Sequence, residues 1–227
     1  MEEKYSRNIP TISEEEQNIL KDKTVAVIGC GGLGGYSIEY LARLGVGHII
    51  AVDGDIFSES NLNRQLLSTS DTIGKAKADA AVARIHSINS EIEATAVNEF
   101  LTADTAATLV KGTDLVIDAL DNVESRLILE DVCEEANVAI IHGAIQGWIL
   151  QATVVEPGSK TLHSLYKDKK TDDSPESKTC LCPTPACCAA IQVSEALKLL
   201  LNRESSLNGN VLYMDLQTME SYMIPMK

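Results

Sequence analysis

Apolar residues in this chain fall into short, nearly unbroken runs separated by stretches with helical spacing. Residues 24–28, 48–52, 115–117 and 138–141 are such runs. Their length and lack of polar alternation predict strands buried on both faces. A further strand is predicted near residues 92–97. Between them, residues 33–44 predict a helix that stops at Gly45, with Gly47 in the following turn. Residues 75–89 place Ala78, Ala81, Val82, Ile85 and Ile88 on one helical face, and residues 103–110 and 123–136 predict two more helices. Ahead of the first strand, Ser13 followed by Glu14, Glu15 and Glu16 is an N-cap with acids in the first turn, so a short helix runs to about Lys21. Repeated β-α order implies a mainly parallel, doubly wound α/β sheet with right-handed crossovers.

The pattern changes in the last third. Residues 148–155, 211–216 and 221–224 predict adjacent antiparallel strands, the last two joined by a tight turn at Gln217-Thr218. Residues 157–179, rich in Lys, Asp, Ser and Thr without periodicity, predict a mobile crossover loop extending to about residue 182. Pro183 then starts a helix carrying Ala186, Ala190, Val193, Leu197 and Leu200. No internal repeat or linker interrupts residues 1–227, which predict one domain.

Composition narrows the function classes. Nineteen basic against 33 acidic side chains leave a net charge of −14, which argues against nucleic acid and acidic membranes as partners. The first residues lack an apolar signal core, and no apolar run approaches membrane-spanning length, so a cytoplasmic protein is expected. Of six cysteines, Cys30 and Cys133 stand alone, whereas Cys180, Cys182, Cys187 and Cys188 crowd into nine residues. In a reducing compartment that cluster suggests a metal site, a thiol reaction centre or a redox liability rather than a disulfide.

The candidate chemistry begins at the first strand. Gly29-Cys30-Gly31-Gly32-Leu33-Gly34-Gly35 contains the GxGxxG spacing that brings backbone amides and a helix N-terminus to phosphate. Asp53 ends the second strand where a ribose-binding acid belongs, with Asp55 just beyond it. A structural glycine turn, or the dinucleotide site of a Rossmann oxidoreductase, satisfies these features too. Asn61-Leu62-Asn63-Arg64-Gln65 favours ATP instead, because a triphosphate needs neutralising groups beyond its ribose. Lys77, in Gly74-Lys75-Ala76-Lys77, offers a second cation. Asp118-Ala119-Leu120-Asp121-Asn122 ends a buried strand, where open α/β sheets place ligands and where an aspartate can hold Mg²⁺ beside phosphates. Singly, Lys77, Asp121 and Arg126 also suit solvated or capping roles; together they point to a site.

With these pieces in place, the sequence resembles the ThiF/MoeB/HesA family, relatives of the ubiquitin-activating enzymes. The matching residues are Tyr5-Ser6-Arg7, the Gly29–Gly35 turn, Asp53 and Asp55, Ser60 to Gln65, Gly74 with Lys77, Asp121-Asn122 with Arg126, and Pro183-Thr184-Pro185-Ala186 followed by Gln192 and Glu195-Ala196-Leu197-Lys198. The resemblance implies a Rossmann-like adenylation domain that uses Mg-ATP to adenylate the C-terminal carboxylate of a small β-grasp sulfur-carrier protein, as in thiamine or molybdopterin synthesis. It implies that Asp53 holds the ribose and that Asn61, Arg64, Gln65 and Lys77 hold the triphosphate. Asp121 would bind Mg²⁺ and be essential, and Leu120 and Asn122 would line the nucleotide pocket with Gly29, Gly31, Gly32, Leu33 and Gly34. Arg7 would reach into the partner's site of a homodimer. A sulfur-donor protein would complete the set of partners.

The chain departs from the family's longer members in lacking the paired CxxC motifs that hold zinc, and the spacing of its own cysteines does not favour zinc. Cys180 and Cys182 are candidate thiol nucleophiles, expected to be acidified by the helix starting at Pro183. Cys187 and Cys188 fall within that helix and are expected to pack, and His142 is expected to be a satisfied core or rim residue. Adenylation of a different acid (a peptide, a tRNA-linked amino acid or a small cofactor precursor), a Rossmann oxidoreductase and a non-catalytic partner subunit are the alternatives.

Overall fold

The structure, a computed structural model, describes residues 2–167 and 179–226. Strands β1 (Thr24–Ile28), β2 (His48–Val52), β3 (Glu93–Val97), β4 (Leu115–Asp118), β5 (Ile140–Gln146), β6 (Ile149–Val155), β7 (Asn210–Asp215) and β8 (Glu220–Pro225) form one sheet in the order β3-β2-β1-β4-β5-β6-β7-β8. The first five are parallel and the last three antiparallel. The apolar runs become the central strands because both faces are covered. Val25 and Val27 face a core built with α1 (Glu14–Lys21), α2 (Gly32–Leu44), α3 (Lys77–Ile88) and α7 (Pro183–Leu200). Ala26 and Ile28 face a second core built with α4 (Ala106–Val110), α5 (Val123–Ala136) and α6 (Thr161–Leu165). None of the described helices is long and apolar enough to cross a membrane.

Local chemistry explains most boundaries. Ser13 caps α1 as its sequence indicates: its hydroxyl accepts the Glu16 amide at 3.1 Å while Glu16 Oε2 accepts the Ser13 amide at 2.7 Å. The α3 helix starts two residues later than its periodicity suggests, because residues 75–76 are held extended: Ile56 bridges Ala76, and the Phe57 amide donates to the Lys75 carbonyl at 3.0 Å.

Two expectations need correction. Strand β5 continues to Gln146, well beyond the predicted end at 141, and turns through Gly147-Trp148 into β6 with Gln146 paired to Ile149. Trp148 therefore sits in a two-residue hairpin turn, where Gly147 at φ +57° supplies the left-handed step. The stretch predicted as a loop from residue 157 also contains α6. That helix is too short to show periodicity, but it buries Leu162 completely and is anchored from outside. Glu130 of α5 accepts the Leu162 and His163 amides, each at 2.8 Å. The remainder of the predicted loop, residues 168–178, lies outside the described residues.

The strand order reverses at β1, whose neighbours are β2 on one side and β4 on the other, so a crevice opens at their C-terminal ends. Close packing there depends on glycine: a Cβ at Gly34 would lie 1.7 Å from the Gly29 carbonyl oxygen. A Cβ at Gly35 would make only ordinary contact, 3.4 Å from the Leu67 side chain. Gly34→Ala is expected to cost about 3 kcal/mol or more of stability by overpacking, whereas Gly35→Ala should stay within about 1 kcal/mol. Denaturant unfolding of the two variants checks this; equal losses would contradict it.

Candidate active site

The crevice is bounded by the turns that follow β1, β2 and β4. At the end of β1, Gly29 has φ +100°, and a Cβ there would meet the Ala119 carbonyl oxygen at 2.7 Å. The Ala119 amide returns a bond to the Ile28 carbonyl at 3.0 Å, so the turn after β4 lies directly against the glycine turn. Helix α2 opens with no side-chain cap at Gly31, which leaves its first-turn amides to a ligand.

Asp53, at the end of β2, is half-buried and organises both neighbouring turns. Its Oδ2 accepts the Cys30 amide at 2.7 Å and its Oδ1 accepts the Asp55 amide at 2.8 Å. Each oxygen retains a lone pair, so the carboxylate can still accept from a ribose. Lys77, at the start of α3, is buried; its ammonium pairs with Asp55 Oδ2 at 3.0 Å, and its charge reaches the Cys30 thiol in the glycine turn. Gln65 is buried as well. Its amide nitrogen lies 3.4 Å from where a Cβ on Gly31 would sit, and its Oε1 has no partner among the described residues. These features fit a nucleotide phosphate.

Three predicted residues have other partners in this structure. The Asn61 side-chain oxygen accepts the Ser58 amide at 3.0 Å, closing the 3₁₀ turn Glu59–Asn61. Asn122 caps α5 through Ser125, at 2.8 Å, and its amide reaches Asp121 Oδ1 at 3.4 Å. Arg64 donates to the Ser60 carbonyl and to Asn63 Oδ1, both at 2.9 Å. With Asn63, Gly147, Trp148 and Cys180 it lines a cavity of about 460 Å³. Leu33 is buried behind the glycine turn, and Asp121 is exposed at the crevice mouth, following Ala119 and Leu120.

Arg7 is not part of this chain's crevice. Tyr5 packs against Gly45, which caps the far end of α2, so Arg7 lies roughly 20 Å from the glycine turn, the length of that helix. The cysteines also differ from expectation. The Cys180 thiol is pushed up by burial, with Arg64 opposing, rather than acidified by α7. Cys182 is exposed and lies 2.9 Å from the Tyr36 hydroxyl, while Cys188 is buried and bonds the Gln151 carbonyl at 3.6 Å. Pointed at different partners, these thiols form no shared cage, and among the described residues no group of three or more His, Cys, Asp or Glu side chains is placed to hold a metal.

Sequence reasoning missed a buried polar cluster beneath Asp121. Asp118 accepts the Leu120 amide on Oδ1 at 2.9 Å and meets His142 Nδ1 through Oδ2 at 2.6 Å. His142 Nε2 lies 3.0 Å from the Tyr166 hydroxyl. Arg126 donates to that hydroxyl at 3.1 Å and to the Leu120 carbonyl at 2.6 Å. Gln151 donates to the same hydroxyl at 2.7 Å. The residues come from β4, α5, β5, β6 and the end of α6, and no local motif joins them. His142 is satisfied, as expected, but it is part of a network rather than an isolated core residue.

Burial depresses the His142 pKa below its ordinary value of 6.5, outweighing the attraction of Asp118. As pH falls through that ordinary value, the unfolded chain gains a proton that the folded chain refuses, so stability declines with acidity. We expect this group to contribute a slope of at most about 1.4 kcal/mol per pH unit below pH 6.5. In His142→Asn, denaturant unfolding between about pH 6.5 and 5 should follow a flatter profile; a profile parallel to the wild type would contradict the assignment.

The fold and crevice define a nucleotide-binding α/β domain with its site at the strand switch point. Residues 5–227 match the ThiF family model, and the chain belongs to that family. It is 34% identical over 228 residues to the SAMP-activating enzyme E1 of Haloferax volcanii, covering 98% of this chain and 84% of that protein. It is 35% identical over 207 residues to the sulfur carrier protein ThiS adenylyltransferase of Bacillus subtilis, covering 88% of this chain and 62% of that one. Its fold is similar to that of E. coli MccB crystallised with ATP, with a TM-score of 0.86 at 22% identity, covering all of this chain and 72% of that one. The kinship makes the chain an enzyme of the adenylyltransferase type, with ATP as its nucleotide.

Proposed function

We propose that this enzyme adenylates the C-terminal carboxylate of a small β-grasp sulfur-carrier protein ending in Gly-Gly. Three features support the reading: an uncapped α2 N-terminus beside the turn after β4, a buried Lys77 cation tied through Asp55 and Asp53 to the glycine turn, and an exposed Asp121 two residues beyond Ala119. A carboxylate oxygen attacks the α-phosphorus of ATP, the bond to the β-phosphate oxygen breaks, and pyrophosphate leaves with that electron pair. Anion approaches anion, so catalysis consists of charge neutralisation and in-line positioning. The amides of the glycine turn and Lys77 bind the phosphates, Gln65 orients them, and Asp53 holds the ribose. Arg64, which lines the 460 Å³ cavity with Trp148 and Cys180, would border the path of an extended peptide tail. Mg²⁺, held by Asp121, would neutralise phosphate charge. In a homodimer Arg7, remote from its own crevice, would serve the partner's.

Transfer to sulfur would follow: a thiolate attacks the acyl carbon, a carbon–sulfur bond forms and AMP departs. Cys180, which lines the cavity, and Cys182, exposed at the start of α7, would be the reacting thiols, and a sulfur-donor protein would supply the alternative nucleophile. The same pocket would suit a different acid, such as another peptide. MccB and the E. coli tRNA N6-threonylcarbamoyladenosine dehydratase TcdA share the fold, which keeps that second reading in play.

Pyrophosphate exchange against purified β-grasp carriers with intact Gly-Gly ends tests the proposal. Asp121→Ala should lower exchange by at least about 10²–10³-fold, with the fold intact; wild-type turnover by that variant would contradict the assignment. Cys180→Ser and Cys182→Ser should retain exchange, and at least one should lose acyl transfer to sulfur. Unimpaired transfer by the double variant would remove the covalent step.

A further inference from the structure

The buried cluster beneath Asp121 has a single consistent hydrogen-bond direction. Arg126 and Gln151 both donate to the Tyr166 phenol oxygen. Its third bond, 3.0 Å to His142 Nε2, is one in which the hydroxyl is placed to donate. Tyr166 keeps its proton, since burial pushes its pKa up to about 12. With Nε2 accepting, His142 is neutral and carries its proton on Nδ1, donated to Asp118 Oδ2 at 2.6 Å. Asp118 turns its other oxygen to the Leu120 amide, and Arg126 turns its second nitrogen to the Leu120 carbonyl. Both polar groups of the Leu120 backbone are thereby fixed from one network, and the next residue is Asp121.

The opposite end of the network is α6. Glu130 holds its start through two backbone amides, and Tyr166, at its C-terminal end, is buried against the same core as Leu162. Docking of α6 and placement of the Asp121 turn therefore share one set of bonds.

We propose that Tyr166 is a positioning residue for adenylyl transfer: through Arg126, and through His142 and Asp118, its hydroxyl sets the Leu120 peptide and hence Asp121, so that the docking of α6 fixes the geometry of the crevice. This rests on the adenylation reading for its catalytic consequence, but the network itself can be tested without turnover.

The experiment uses the full chain with Tyr166→Phe, which keeps the buried ring and removes only the hydroxyl. Val138→Ala serves as a stability control from the same core, at a residue just before β5 that bonds none of the network side chains. Backbone amide hydrogen exchange followed by NMR should show the Leu120 amide losing protection about tenfold in Tyr166→Phe, while Ile117 in β4 keeps its own. Pyrophosphate exchange should show kcat falling about tenfold, with the KM for ATP within about twofold of the wild type. Val138→Ala should leave both readouts unchanged. Unchanged Leu120 protection in Tyr166→Phe overturns the proposal. Lost protection with wild-type kcat, or a raised KM for ATP alone, overturns the catalytic role, and matching losses in Val138→Ala reduce the effect to general destabilisation. If the wild type supports exchange with none of the carriers, the carrier reading fails, while Leu120 protection still decides whether the network holds the turn.

Discussion

Everything in this molecule depends on the close approach of two backbone turns at the point where the sheet changes direction. The turn after β1 and the turn after β4 touch through main-chain atoms, with the Ala119 carbonyl where a side chain on Gly29 would be and the Gly29 carbonyl where one on Gly34 would be. The glycines thus serve twice. They let α2 settle onto the sheet, and they leave its first amides facing the crevice without side chains in the way. Binding site and structural joint are the same few residues, so the site is rigid at its base.

Charge is distributed around that base so that the anion site is organised before a ligand arrives. The protein as a whole is strongly acidic, yet at the crevice Asp53 is turned inward onto the amides of Cys30 and Asp55, and Lys77 is buried beside the glycine turn. The pairing of Lys77 joins a buried ammonium to Asp55, a carboxylate whose side chain is 57% exposed, so a phosphate arriving there would exchange one anionic partner for another. Asp121 is exposed, and the residue before it is held at both its amide and its carbonyl.

Much of this was legible in the sequence because it is written in local patterns. The apolar runs marked four of the five parallel strands, Ser13 and Gly45 marked helix ends, and the glycine spacing with Asp53 pointed to the crevice. What stayed hidden depends on partners distant in the chain. Helix α6 has only five residues and owes its start to Glu130, some thirty residues upstream. The hairpin at Gly147-Trp148 was obscured because a turn tryptophan reads as the beginning of a strand. The cluster of Asp118, Arg126, His142, Gln151 and Tyr166 is assembled by topology: Arg126 was a candidate from its place after Asp121, but nothing in the sequence joined it to Gln151 or Tyr166. Arg64 and Asn61 illustrate the converse: residue type and spacing identified the segment, while the structure shows their side chains bonded within their own turn.

The central claim is that the glycine turn, Lys77 and Asp121 together receive ATP with its α-phosphorus open to a carboxylate. A crystal structure of the chain with the non-hydrolysable analogue AMPCPP and Mg²⁺ tests it most directly. The account predicts the α-phosphate on the amides that open α2, the outer phosphates against Lys77, and the metal on Asp121. A triphosphate running away from Lys77, with Asp121 on solvent alone, would contradict it.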